Sequence, residues 1–158
     1  MDETVAIATV ALIVHILAAV VWVGGMFFAL IVLRPATGAL DAAPRLQLWG
    51  RVLERFFAWV IAAIVLLLIS GYGMVLGVFG GFADVGLHIQ IMQGTGILMI
   101  LLFLHLYFAP WRRFRAALTR QDHAVAARQL NQIRWIVTLN LVLGLITVAV
   151  GGSGRYWG

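Results

Sequence analysis

The stretch from Phe56 to Phe79 reads FFAWVIAAIVLLLISGYGMVLGVF, and its reading decides the fold. No charged side chain interrupts it. It exceeds the ~20 residues with which a helix crosses the hydrocarbon core of a bilayer. Three further apolar runs are as long or nearly so: about 5–33, 87–110 and 133–150. Their spacing predicts an all-α, integral membrane four-helix bundle, with 1–158 as a single transmembrane domain. The composition agrees: 63% of the residues are hydrophobic and 11% charged. So few charges could not clothe the core of a water-soluble domain of 158 residues.

The connections fix an orientation. Arg34, Arg45, Arg51 and Arg55 follow the first run, and Arg112, Arg113, Arg115, Arg120, Arg128 and Arg134 lie between the third and fourth. The turn at 80–86 has no arginine, and the C-terminal tail has only Arg155. Arginine concentrates on the cytoplasmic side of membrane proteins. Both termini are therefore expected on the periplasmic side of a bacterial inner membrane. This flanking placement reads the net charge of +5 as a topology signal, and no nucleic-acid partner is expected. Pro35 and Pro44 are expected breakers, Asp122 an N-cap, and Trp111, Trp135, Tyr156 and Trp157 an interfacial aromatic belt.

The chain has no cysteine, which excludes thiolate metal sites, iron–sulfur clusters and cysteine nucleophiles. It also has no buried carboxylate pair and no zinc-protease motif. Polar groups within the spans are costly and call for a role. His15, Ser70, His88, Gln93, His105 and Asn140 are those groups. Counted from the flanking arginines at ~1.5 Å per residue, they separate into two layers. His15, Met74, His88 and Met92 fall in the outer half, with Tyr72 nearby. His105 and Asn140 fall in the inner half, where a hydrogen bond between them would satisfy both. Imidazole with thioether suits copper, above all Cu(I). The bland alternative makes the methionines apolar filler and His88 a solvated interfacial group.

Glycines at Gly24, Gly25, Gly71, Gly73, Gly77, Gly94 and Gly96 allow close helix approach. Gly73 and Gly77 form a small-xxx-small pair, suited to internal packing or to a homo-oligomer face. There is also an internal echo. Ser70-Gly71-Tyr72 near the end of the second run matches Ser153-Gly154-Arg155-Tyr156 at the end of the fourth, and each preceding run carries a histidine. A parallel duplication of helix pairs would produce this pattern.

His15 followed by Trp22-Val23-Gly24-Gly25-Met26-Phe27-Phe28 resembles the first helix of the CopD-like (copper-resistance protein D) membrane superfamily. His88 through His105 to Pro110, and Ile133-Arg134 to Asn140-Leu141-Val142-Leu143-Gly144, resemble later helices of that family. The likeness is closest to its short, stand-alone members. It implies copper handling, as transport or tolerance, with His15, His88, Met92 and Met74 as metal ligands and a periplasmic metal or electron donor as partner. The same landmarks are similar to the HemJ-type protoporphyrinogen oxidases. That likeness implies a haem b-binding redox protein, with His15, His88 or His105 binding the cofactor. Gln90 stands where those oxidases carry a lysine, and Leu141-Val142-Leu143 where they carry glutamate and proline. The second resemblance thus implies haem binding more directly than oxidase chemistry. A third reading is a structural accessory subunit.

Overall fold

The computed structural model describes residues 3–78, 80–81 and 85–157, without the side chain of Arg155. Four long helices account for almost all of them: α1 (Glu3–Ala39), α2 (Ala42–Gly77), α3 (Leu87–Thr119) and α4 (His123–Ser153). Each is long and apolar enough to cross a membrane. The surface confirms the solvent: Ile7, Ile69 and Trp135 are about 70% exposed, as suits a surface bathed in lipid. The protein is a multi-pass membrane protein.

The helices outrun the apolar stretches, and the reason lies in the prolines. Pro35 does not end α1, because a π-helical segment over Phe28–Leu33 precedes it and the chain stays helical to Ala39. Pro110 sits inside a second π segment, Tyr107–Trp111. A π turn offers i→i+5 pairing, so a missing amide is absorbed there without breaking the helix. Pro44 falls in the first turn of α2, where its amide would be unpaired in any case. The segment from Ala42 to Arg55 is therefore continuous with the span itself.

At the other arginine-rich connection, Asp122 Oδ1 accepts from the amide of Val125 (3.0 Å), the expected N-cap of α4. Gln121 turns the chain there with φ +56°. At the opposite end, Gly80 and Gly81 take φ +69° and +128°, backbone that side-chain-bearing residues avoid. Phe79, the expected end of the second span, lies outside the described residues.

The helices associate most closely as α1 with α2 and α3 with α4, with α4 also against α1 and α2. Aromatic rings fill the middle of the bundle. Phe57 meets Phe103 edge-on at 5.6 Å between centroids and Trp111 at 5.2 Å, and Trp22 reaches Phe103 at 6.4 Å. Trp111 is thus a core residue, 3% exposed, and not part of an interfacial belt. A π segment takes more residues per turn than an α-helix and so sets Trp111 back in phase, and the ring packs inward against Phe57. Trp135, Tyr156 and Trp157 are exposed, as a belt requires.

Candidate metal centre

Four of the polar landmarks lie at the end of the bundle away from the arginines. His15, about a third of the way along α1, faces α2. Its Nδ1 lies 3.0 Å from Ser70 Oγ, and Ser70 in turn donates its hydroxyl proton to the carbonyl of Leu66. Ser70 has one proton and has spent it, so His15 must donate from Nδ1–H. That sets the tautomer. With Nδ1 protonated, the lone pair is on Nε2; the ring also hydrogen-bonds the backbone of Leu67. A ligating histidine is commonly oriented this way, with one nitrogen tied to an acceptor and the other presented to the metal. Gly71 makes room for the ring: a β-carbon there would stand 3.1 Å from His15 Cε1. Met74 is partly buried one helical turn beyond Ser70 on α2.

His88 and Met92 occupy the other seam. They are four residues apart on α3, hence on one face, and both meet the end of α4. A side chain at Gly154 would collide with His88, and one at Gly151 would come within 2.9 Å of Met92 Cε. Trp157 meets the His88 ring edge-on at 6.4 Å. The internal echo has a spatial counterpart here. Each odd helix sets its histidine against the glycine of the Ser-Gly pair on the next helix: His15 on Gly71, His88 on Gly154. Ser153 donates to Ala149 O (2.7 Å), four residues back, as Ser70 does to Leu66. Between the two seams, Gln93 Nε2 donates to the Tyr72 hydroxyl at 3.4 Å. Among the described residues no hydrogen bond or ring contact joins His15 to His88. Nor is any group of three or more His, Cys, Asp or Glu side chains placed to hold a metal by itself.

The inner layer differs from expectation. Asn140 is 2% exposed and donates from Nδ2 to the carbonyl of Met99 (3.1 Å), not to His105. His105 is exposed on the outside of the bundle. It lies about 240° round α3 from Met99, so once Met99 faces α4 the imidazole must face away. Another side-chain hydrogen bond between α3 and α4 runs from Thr147 Oγ1 to Thr95 Oγ1 at 2.7 Å. Asn140 therefore ties two helices through one bond, and its Oδ1 is buried without a partner among the described residues. Asn140→Leu removes both the bond and the unsatisfied oxygen. The expected cost is ~0.6 kcal/mol, the average for hydrogen bonds between membrane helices. Reversible unfolding in mixed micelles checks it, and a loss several times larger would give Oδ1 an essential partner.

The copper resistance protein D family model matches residues 50–153. This chain belongs to the copper resistance protein D family. The copper resistance protein D match spans most of α2, all of α3 and all of α4, and so contains Ser70, Met74, His88, Met92, His105 and Asn140, while His15 lies before it. An uncharacterized protein of Aquifex aeolicus (strain VF5) is 28% identical over 149 residues, covering 89% of this chain and 90% of that protein, so the likeness reaches into α1. No solved structure matches. Sequence reasoning named His15, Ser70, Gly71, Met74, His88, Met92, Gly154 and Trp157 of these seams and passed over Gly151. It missed the pairing of His15 with Ser70. Depth counting could not single it out, because Ser153, Tyr72 and Thr95 all lie nearer His15 in estimated depth than Ser70 does.

Proposed function

We propose that this protein handles copper, in transport or tolerance, taking Cu(I) as substrate in the half of the bundle away from the arginines. His15 is the principal ligand, Met74 is its thioether neighbour, and His88 with Met92 receives or delivers the ion on the second seam. Family membership supports copper. The single observation that carries the site is His15 itself: its Nδ1 is held by Ser70, which is bonded in turn to Leu66, so the ring is oriented with its lone pair on Nε2. Imidazole and thioether together favour Cu(I) over harder ions.

Elemental analysis and an absorbance spectrum of the detergent-purified protein test the reading. Copper bound to a colourless protein is expected. A Soret band with iron would replace copper by haem b and overturn it. The proposed setting is a bacterial inner membrane with both termini periplasmic. A C-terminal reporter active only outside the cytoplasm should give signal, and activity of a cytoplasm-only reporter there would reverse the orientation.

A further inference from the structure

At the arginine-rich end α2 and α3 both run on past their apolar stretches, and a cleft of about 250 Å³ lies between the two extensions. Gln47, Arg51 and Glu54 line it from α2, and Trp111, Arg115 and Leu118 from α3. Gly50 lines it too, and a β-carbon there would stand 2.8 Å from Leu118 Cδ1, so any side chain at this position would intrude on the space. Arg115 is held from two sides. Its Nη2 lies 3.7 Å from Glu54 Oε1, and its guanidinium carbon lies 5.8 Å from the centroid of the Trp111 ring. Trp111 is 3% exposed, yet among the described residues no hydrogen bond engages its indole N–H. Arg51 has no carboxylate within 4.0 Å among the described residues. Topology alone places arginine on this side of the membrane. It does not require two arginines to border one cleft beside a glycine and an indole N–H without an acceptor.

The cleft lies outside the hydrocarbon. Trp111 follows Pro110, where the third apolar run ends, and Glu54 precedes Phe56, where the second begins. Leu118 stands ~12 Å beyond Pro110 along the helix. Trp111 and Leu118 are the apolar side chains of the lining, too little for an acyl chain.

We infer that this cleft binds a phosphate dianion from the aqueous phase on that side, free or as the end of a small monoester. A guanidinium carries five N–H donors in a planar fork that matches phosphate oxygens. The Glu54 carboxylate engages part of one such fork. The remaining guanidinium donors, with the Gln47 amide and the Trp111 indole, outnumber what the two oxygens of a carboxylate can accept, whereas phosphate offers more oxygens in more directions. Two cations against one carboxylate favour an anion, and Glu54 is the competitor that an incoming phosphate displaces from Arg115.

The test titrates the full chain in detergent, by calorimetry, with glycerol 3-phosphate, inorganic phosphate, succinate and dihexanoyl phosphatidylglycerol in turn. At least one of the two soluble phosphates should bind at least tenfold more tightly than succinate, a dianion of the same charge. Whichever of the two binds more tightly tells monoester from free ion. Arg115→Gln should weaken binding about tenfold or more, and Glu54→Gln should strengthen it severalfold. Gln47→Leu and Trp111→Phe leave the charge unchanged, and each should weaken binding severalfold by removing N–H donors. Arg120→Gln/Arg128→Gln, which removes charge outside the cleft, should leave binding within about twofold. Where Trp111→Phe does not purify, Gln47→Leu, at an exposed position, carries the charge-neutral comparison. Succinate binding as tightly as both phosphates, no saturable binding of either phosphate, equal losses in Arg115→Gln and the double variant, or tighter binding of the phospholipid than of both soluble phosphates would each overturn the site.

Discussion

His15→Ala is expected to strip the purified protein of its copper. Of the polar groups in the outer half, the His15 imidazole is the one whose orientation is fixed by a neighbour that cannot itself serve as donor. Alanine removes the nitrogen and leaves no other imidazole on α1 or α2. Ser70→Ala should be milder. The imidazole remains, but its tautomer is no longer set, and loss of such an orienting partner weakens metal sites ~10–100-fold. His105→Ala should leave the copper in place, because that ring faces away from the bundle. Copper per chain, measured after dialysis against a graded series of chelator concentrations, ranks the three. Full copper in His15→Ala, or its loss in His105→Ala, would remove His15 from the centre of the site.

Phe57→Ala is expected to be the most damaging core substitution. Phe57 is 2% exposed and its ring meets Phe56, Phe103, Tyr107 and Trp111, so one side chain joins α2 to both the straight and the π-helical parts of α3. In water, Phe→Ala in a core costs ~3–5 kcal/mol, part from transfer and part from the cavity left behind. Separated membrane helices keep their apolar side chains in lipid, so the transfer part falls away. The lost packing remains, and ~2–3 kcal/mol is expected on that ground. Unfolding in mixed micelles measures it. Phe108→Ala, at a position 61% exposed to lipid, should be nearly silent by comparison. Equal losses at the two positions would mean that ring packing does not hold the bundle together.

Four apolar runs, ten arginines confined to two connections and a cysteine-free chain were enough to read a four-helix membrane bundle from the residues alone, because the bilayer sets span length and charge placement almost without regard to detail. The Asp122 cap was equally legible, since capping is a local bond. Whether each polar group faces a neighbouring helix or lipid was not. Asn140 and His105 share a depth, yet one is buried against Met99 and the other points outward. Trp111 has the spacing of a belt residue, yet a π turn carries it into the core. Gly73 and Gly77, which fit a packing motif, have no atom within 4 Å of where a side chain would begin, whereas Gly71, Gly144 and Gly154 receive side chains from other helices. The reason is common to all of these. In a membrane helix both faces are apolar, so hydrophobic periodicity, which marks the inward face of a soluble helix, carries little information. Facing was decided by side-chain packing between helices and by two local changes of helical pitch, and those exist only once all four helices stand together.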